Sequence, residues 1–257
     1  MQNNTDQFLD VALKAAHAAE DIVLTYFGKD IDVTLKSDQS PVTIADKEAE
    51  KVIVDTIRAT FPDHGFLGEE TGTTASQAEY TWIIDPIDGT RNFIRGVPLF
   101  GTLIALMKDN EVILGVSNMP VLRELIHAEK GKGAYKDGVR LSVSSKKTLG
   151  EAYLSYGGIS QFIKQDMLPQ LLSIVGETGR NRDFGDCWQY HLLAEGKIDI
   201  VVDHKVKIWD VAPAKIIVEE AGGTFTDKDG NSLGKGTFVA VATNGLLHAQ
   251  TLGKFST

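Results

Sequence analysis

The sequence predicts a layered protein of mixed helices and sheets, an α/β (α+β) fold. Two amphipathic helices open the chain, short strands broken by turn signals follow, and the second half alternates strand with helix. Such alternation is typical of sheets packed between helix layers. Since 257 residues are ample for one core, we expect a single domain over residues 1–257, with a soft internal boundary near residue 150.

The first half, residues 1–150, is predicted to form two helices and then an antiparallel meander. Apolar side chains recur at helical spacing in two segments, and Pro62 ends the second helix. Alternation and turn signals mark the strands. The predicted helices are 5–27, 43–60 and a short one from Thr90; the predicted strands are 32–35, 64–67, 80–84, 99–107, 112–118, 122–129 and two within 131–141; residues 71–78 are predicted to be a flexible loop.

The second half, residues 151–257, is predicted to alternate strands and helices. Gly222 and Gly223 follow the predicted helix 209–221 and indicate its end. The predicted strands are 152–156, 179–183, 199–202, 224–225 and 238–242; the predicted helices are 161–175, 186–196, 209–221 and a last one from Gly245. This order predicts α/β packing in the half that lacks the main acidic motif.

Composition and charge exclude several classes of partner. The formal net charge is −9, and an acidic chain is a poor binder of nucleic acid. The first residues lack the basic start and apolar run of a signal peptide, and no stretch approaches the length of a membrane span. Cys187 is the one cysteine, so no intrachain disulfide forms, and we interpret it as a small buried residue. We therefore expect a cytoplasmic protein without nucleic-acid or membrane partners.

The segment Asp85-Pro86-Ile87-Asp88-Gly89-Thr90 carries the strongest chemical signal. An apolar strand delivers Asp85, and Asp88 follows on the same stiff turn, so a cation between the two carboxylates would relieve their repulsion. A helix that begins at Thr90 would offer free N–H groups to a phosphate. Neighbouring metal and phosphate sites are what phosphoryl transfer requires. A turn followed by a helix N-cap explains the same spacing equally well.

Other acidic residues lie at the ends of predicted elements. Glu69 and Glu70 follow a short strand, Asp46 begins the second helix, and Asp210 follows Trp209 at the start of a later helix. Each has an ordinary structural interpretation when taken alone: an exposed acidic pair, a helix-start residue and an N-cap.

Taken together, these motifs resemble the inositol monophosphatase family of Mg²⁺-dependent, lithium-sensitive phosphatases over nearly the whole chain. The resemblance rests on residues 82–93, on residues 209–214 running to 219–223, and on Gly68-Glu69-Glu70 upstream. It implies a phosphoric monoester hydrolase with a layered αβαβα sandwich of the inositol monophosphatase/fructose bisphosphatase type. It also implies a small phosphate ester as substrate and a homodimer.

The resemblance further implies a role for each motif residue. Two or three Mg²⁺ ions would be held by oxygen ligands, which that ion prefers. The implied metal ligands are Glu69, Asp85, the carbonyl of Ile87, Asp88 and Asp210. Asp46 and Thr90 would orient and deprotonate the attacking water, with Glu70 in support. The substrate phosphate would contact Gly89 and Thr90 amides, with Asp88 and Asp210 beside it.

Substrate choice depends on another segment. Residues 185–190 (Gly-Asp-Cys-Trp-Gln-Tyr), followed by 193–196, resemble the histidinol-phosphate phosphatase branch of the family. Asp186 would pair with the substrate's ammonium, and Trp188 or Tyr190 would pack on its imidazole. Alternatively, Asp186 caps its helix and Trp188 is core. Asp203 lies near the position where the family places a substrate-contacting acid, but the spacing differs, so it receives no role. Lys36 lies where a family member would place a basic group near the metal entrance, and we interpret it instead as an exposed charge.

The leading hypothesis is hydrolysis of L-histidinol phosphate to L-histidinol and phosphate, in histidine biosynthesis. The alternative is an inositol-1-phosphate or broad sugar-phosphate phosphatase, and a bisphosphate phosphatase is a third. A non-catalytic phosphate binder that keeps the fold belongs to another class. The intact set of metal-site and water-activating residues argues against it: Glu69, Asp85, Asp88, Thr90 and Asp210.

Overall fold

The computed structural model describes residues 4–74, 78–233, 236 and 238–255. Within them it shows two large β-sheets with helices on both faces of each, and a separate two-stranded sheet, β1–β2. The helices are α1 Asn4–Tyr26, α2 Ile44–Arg58, α3 Thr90–Ile94, α4 Ile159–Lys164, α5 Leu168–Glu177, α6 Asp186–Ala194, α7 Ile208–Glu220 and α8 His248–Leu252. The strands are β1 Val33–Leu35, β2 Pro41–Thr43, β3 Gly65–Gly68, β4 Gly72–Thr74, β5 Tyr80–Asp88, β6 Gly101–Lys108, β7 Glu111–Met119, β8 Glu124–Glu129, β9 Gly133–Lys136, β10 Val139–Arg140, β11 Tyr153–Tyr156, β12 Arg180–Arg182, β13 Ile200–Val206, β14 Thr224–Asp227 and β15 Phe238–Thr243.

The first sheet has eight strands in the order β10-β9-β8-β7-β6-β5-β3-β4. Its neighbours are antiparallel except for β3 and β5, which are parallel. Alternate side chains of a strand face opposite sides of a sheet. Trp82 and Ile84 of β5 accordingly pack against α1 and α2, whereas Ile83 packs with Ala212 of α7. Strand β5 is therefore covered by helices on both faces.

The second sheet has five strands in the order β12-β11-β13-β15-β14. Ile200 and Val202 of β13 pack in a cluster with α4 and α5, whereas Val201 packs in a cluster with α6 and α7. Helix α7 contributes Ala212 and Ile216 to clusters shared with the first sheet. Helices α6 and α7 thus form the layer between the two sheets, and the predicted αβαβα sandwich is confirmed.

Two predictions about elements are wrong. The single helix predicted over 161–175 is divided into α4 and α5, because Asp166 takes a left-handed backbone (φ 54°) and Pro169 lies in the first turn of α5. The loop predicted over 71–78 contains strand β4, which pairs with β3; residues 75–77 lie outside the described part. None of the helices in the described ranges is long and apolar enough to cross a membrane.

Candidate active site

A β-bulge in β5 brings Asp85 and Asp88 together. Residues three apart on a regular strand point to opposite faces. The pairing of β5 with β6 slips here, since Asp85 pairs with Leu103 and Asp88 with Gly101. The extra residue rotates the strand, and the amide of Ile87 donates to Asp85 Oδ1 at 3.1 Å. Both carboxylates therefore face the same space.

Asp210 joins this pair from the middle helix layer. It lies in the first turn of α7, where its Oδ2 accepts a hydrogen bond from the amide of Lys207 at 2.7 Å. Carboxylate oxygens of Asp85, Asp88 and Asp210 lie within 4.8 Å of one another, the one acidic group in the described ranges close enough to hold an ion. The first sheet and the middle helix layer thus converge on one cluster.

The protein compensates the negative charge of this cluster only in part. Burial, with the charges of Glu69 and Asp88, raises the pKa of Asp85 well above its usual value. Burial and the neighbouring carboxylates do the same for Asp88, and burial raises the pKa of Asp210 to about 7. Buried carboxylates of this kind are stabilised in ionised form by a cation. An all-oxygen donor set suits a hard divalent metal ion.

Glu69 and Glu70 lie on the turn between β3 and β4, where they bind Lys36. Lys36 Nζ is 2.8 Å from Glu69 Oε1 and 2.6 Å from Glu70 Oε1. Its interpretation as an exposed charge is therefore wrong: the β1–β2 hairpin folds over the acidic turn and delivers the ammonium to it. Glu69 also lies beside the main cluster, since its charge contributes to the raised pKa of Asp85.

Asp46 uses its two carboxylate oxygens for different contacts. Its Oδ2 accepts from the amide and hydroxyl of Thr43 at 2.8 and 2.6 Å, which completes the N-terminal cap of α2. Its Oδ1 faces the Thr90 hydroxyl at 3.3 Å. That hydroxyl lies 3.0 Å from the carbonyl oxygen of Ile87 as well. Burial raises the pKa of Asp46, so this carboxyl is suited to accept a proton.

Gly89 is required by both backbone conformation and space. It adopts φ +85° at the start of α3, and a Cβ there would lie 3.0 Å from the carbonyl oxygen of Leu99 and 3.1 Å from Asp186 Oδ2. The carboxylate of Asp186 consequently lies directly beside the start of α3.

A single cavity of about 820 Å³ joins the acidic cluster to the second half of the chain. Glu69, Asp88, Gly89, Thr90 and Asp210 line it, and Asp46, Glu70, Asp85 and Ile87 adjoin these lining residues. Its remaining wall carries three further carboxylates: Asp183, Asp186 and Asp203. The cavity thus brings together most of the predicted site residues.

Asp186 is held by α3 of the first half. Its Oδ2 accepts from Asn92 Nδ2 at 2.8 Å, and the same amide nitrogen donates to the carbonyl of Leu99. Burial, with the charge of Asp183, raises the pKa of Asp186 to about 6. Trp188 does not line the cavity; it packs edge-on against Phe184 at 5.6 Å, as the core alternative had it.

Asp203 is a cavity residue for which the sequence motifs predict no role. Its Oδ2 accepts from Gln189 Nε2 at 2.7 Å and lies 3.4 Å from the Tyr190 hydroxyl. A Cβ at Gly157 would overlap its Oδ1. Burial raises the pKa of Asp203 to about 8. The Gly157-Gly158 pair next to β11 was the available signal, because glycines permit a close approach of this kind.

The layered fold and the acidic cluster define a phosphoric monoester hydrolase of the metal-dependent type. The sequence model of the inositol monophosphatase family matches residues 4–257. The chain belongs to that family.

Named relatives agree with this assignment. The chain is 39% identical to a histidinol-phosphatase of Mycobacterium tuberculosis over 254 residues, covering 96% of this chain and 97% of the relative. It is 32% identical to a fructose-1,6-bisphosphatase/inositol-1-monophosphatase of Thermotoga maritima, covering 95% of this chain and 94% of that relative. Among solved structures, an inositol monophosphatase from Zymomonas mobilis superposes with a TM-score of 0.89 at 31% identity, covering 100% of both chains.

Proposed function

We propose that this chain hydrolyses L-histidinol phosphate to L-histidinol and phosphate in histidine biosynthesis, with Mg²⁺ as its metal. The observation that carries the substrate is the carboxyl of Asp186 on the cavity wall, with Asp183 beside it. A neutral polyol phosphate needs only hydrogen-bond partners for its hydroxyl groups. An ester with an ammonium and an imidazole needs a negative charge as well, because a desolvated cation requires a paired anion. The named histidinol-phosphatase relative supports the same choice.

Glu69, Asp85, the carbonyl of Ile87, Asp88 and Asp210 would hold the metal, two or three Mg²⁺ ions per site. Bound there, the ions would neutralise phosphate charge and lower the pKa of a water molecule. The raised pKa values of Asp85, Asp88 and Asp210 support this role, since the surrounding protein balances their negative charge only in part.

Asp46 and Thr90 would remove the proton from the attacking water. The Thr90 hydroxyl has one proton and two acceptors within reach, Asp46 Oδ1 and the carbonyl of Ile87. Donation to Asp46 leaves the lone pairs of Thr90 to accept a hydrogen bond from water. The raised pKa of Asp46 favours proton uptake. Glu70, paired with Lys36, would support the neighbouring ligand Glu69.

The start of α3 would bind the substrate phosphate. The left-handed conformation of Gly89 opens α3 at the cavity, and backbone N–H groups at a helix start attract anions. Asp88 and Asp210 line the same region, so a phosphate there would contact the metal ligands as well. Asp186, beside Gly89, would then receive the ammonium.

The alternative is an inositol-phosphate or broad sugar-phosphate phosphatase. The observation in its favour is the full-length similarity to the Thermotoga maritima protein that is named for both activities. A homodimer in the cytoplasm is part of either proposal.

The deciding experiment compares two esters on one preparation. We expect kcat/KM with Mg²⁺ to be roughly 10- to 150-fold higher for L-histidinol phosphate than for inositol-1-phosphate, the size of effect that a paired, desolvated charge provides. A preference for inositol-1-phosphate would overturn the proposed substrate. Release of phosphate from neither ester, in a protein that binds Mg²⁺, would favour the non-catalytic binder.

Asp186→Asn tests whether Asp186 binds the ammonium group of the substrate. The variant retains the oxygen that accepts from Asn92 but loses the charge. We expect kcat/KM for histidinol phosphate to fall roughly 10- to 150-fold. This corresponds to a loss of about 1.5–3 kcal/mol of transition-state stabilisation. Inositol-1-phosphate is the internal control, because it has no cation to lose. An equal loss on both esters would assign Asp186 a structural role.

A further inference from the structure

Glu50 is a buried carboxylate that none of the proposed steps uses. It lies on α2 with no exposed surface, one helical turn after Asp46. Charged residues are almost never fully buried unless they are paired or hydrogen-bonded. The partners of Glu50 therefore indicate what the residue does.

Those partners all belong to the turn that carries Glu69 and Glu70. Glu50 Oε2 accepts from the amide of Glu70 at 2.9 Å, and Oε1 accepts from the amide of Thr71 at 2.9 Å. The Thr71 hydroxyl donates to Oε1 as well. One carboxylate thus receives three hydrogen bonds from two consecutive residues, which fixes the backbone of the turn against α2.

Gly68 shows how close this contact is. A Cβ at Gly68 would overlap both oxygens and the carboxyl carbon of Glu50. The turn can lie on the carboxylate only because this position has no side chain. Lys36 in turn binds the side chains of Glu69 and Glu70. Glu50 therefore holds the backbone of the turn, while Lys36 contacts its side chains.

We infer that Glu50 is a positioning residue that fixes the Gly68–Thr71 turn so that Glu69 is already oriented when the metal binds. The inference rests on the proposed function, in which Glu69 is a metal ligand. A metal ligand on a fixed turn loses less conformational entropy when the metal binds. A more rigid turn therefore gives a higher affinity for the metal. Glu50 affects the metal through Glu69 and does not touch the reacting atoms.

The test measures Mg²⁺ binding to metal-free protein by isothermal titration calorimetry. In Glu50→Gln, an NH₂ group replaces one of the two carboxylate oxygens. Since NH₂ cannot accept from a backbone amide, at least one of the hydrogen bonds from the Glu70 and Thr71 amides is lost. We expect the Kd for Mg²⁺ to rise about tenfold. At saturating Mg²⁺ we expect kcat to stay within about threefold of wild type, because the ligands themselves remain.

Glu48→Gln is the matched control. It makes the same change on the same helix, but Glu48 accepts from the Tyr26 hydroxyl at 2.8 Å, away from the turn. We expect its Kd for Mg²⁺ to equal that of wild type. Melting temperatures in EDTA report stability separately. A Glu50→Gln protein that melts earlier yet binds Mg²⁺ normally would overturn the inference and leave Glu50 a purely structural role.

Thr71→Val provides a second variant that keeps the charge of Glu50. It removes the hydroxyl bond and leaves both amide bonds, so we expect a smaller increase in Kd, about two- to threefold. If Glu50→Gln does not fold, this variant decides, and an unchanged Kd overturns the inference. A wild-type protein that binds Mg²⁺ without hydrolysing histidinol phosphate contradicts the proposed substrate alone. A wild-type protein that does not bind Mg²⁺ overturns both.

Discussion

Asp88 shows how a single residue connects the two halves of the chain. One of its carboxylate oxygens lies in the cluster with Asp85 and Asp210, and Oδ2 accepts from the amide of Cys187 at 2.5 Å. Because that amide belongs to the first turn of α6, the start of α6 and the bulge of β5 are held together at the cavity.

Asp88→Asn is expected to abolish turnover while the fold persists. Asn can still accept from the Cys187 amide, but the variant loses the charge of a proposed metal ligand, so kcat/KM should fall roughly 10³-fold or more on every ester. Phosphate release measures the loss. In EDTA the melting temperature should equal or exceed that of wild type, because repulsion with Asp85 is relieved. Retained activity would overturn the metal assignment.

Asp203 is expected to make the stability of the metal-free protein depend on pH. Its pKa is about 8 in the folded chain, against roughly 3.9 for a free Asp. The folded state therefore keeps a proton that the unfolded state releases. The resulting stabilisation is complete below about pH 4 and is lost as the pH rises through about 8.

Asp203→Asn mimics the protonated carboxyl and should remove this dependence. Between pH 5 and 8.5 in EDTA, we expect its melting temperature to fall less steeply than that of wild type. Asp166→Asn, at an exposed turn, is the control and should follow the wild-type curve. Parallel curves for wild type and Asp203→Asn would show that Asp203 is ionised in the folded protein throughout this range.

Helix α7 packs closely against the first sheet. A Cβ at Gly115 of β7 would lie 2.8 Å from the carbonyl oxygen of Pro213 and 2.7 Å from Cγ2 of Ile216. The helix can approach the first sheet only over a glycine, and Asp210 is carried on that helix. The position of the third carboxylate therefore depends on a contact in the core.

Gly115→Ala is expected to destabilise the protein by about 1–3 kcal/mol, since the added methyl forces α7 away from the sheet. Activity should fall as well, because Asp210 moves with the helix. Urea unfolding and phosphate release measure the two effects. Gly150→Ala is the control, with no atom within 4 Å of the added Cβ. Equal unfolding free energies for both variants would contradict the close fit.

The strand β5 shows what the sequence could and could not predict. Its apolar run predicted a strand ending at Asp85, and the motif around it led to the correct family and fold. The strand in fact continues to Asp88 through a bulge, which is a property of pairing with β6 and has no local signal. The contacts of Lys36 and Asp203 were missed for the same reason, since both depend on distant partners.

Glu50 had a weak signal that the sequence analysis did not use. It lies four residues after Asp46 and so on the same face of α2. The Gly68-Glu69-Glu70 segment was recognised by resemblance, but nothing local indicated that its backbone bonds to α2. The roles proposed for the site residues remain predictions until the variants are measured.

The whole molecule depends on the helix layer between its sheets. Apolar residues of α7 pack against the first sheet through Ala212 and Ile216 and against the second through Val211 and Val218. If either sheet unfolds, the layer is exposed on one face, at a cost that follows the apolar area uncovered.

We therefore expect the metal-free chain to unfold in one cooperative transition. Far-ultraviolet circular dichroism and tryptophan fluorescence should give coincident urea unfolding curves. The tryptophans report on different regions, since Trp82 packs between the first sheet and α1 and α2, whereas Trp188 and Trp209 are on the middle helices α6 and α7. Separate transitions would instead place a domain boundary near residue 150.

The left-handed turn at Gly185 and Asp186 is far in sequence from the β5 bulge, so the two can change independently in evolution. Gly185 (φ 67°) and Asp186 (φ 45°) begin α6 about a hundred residues after the β5 bulge, yet the Asp186 carboxylate reaches the same cavity. A lineage could replace the side chain at this turn and leave every residue of the acidic cluster untouched. Under the proposed function, a substitution at this one turn changes which ester is bound and leaves the residues proposed for hydrolysis in place.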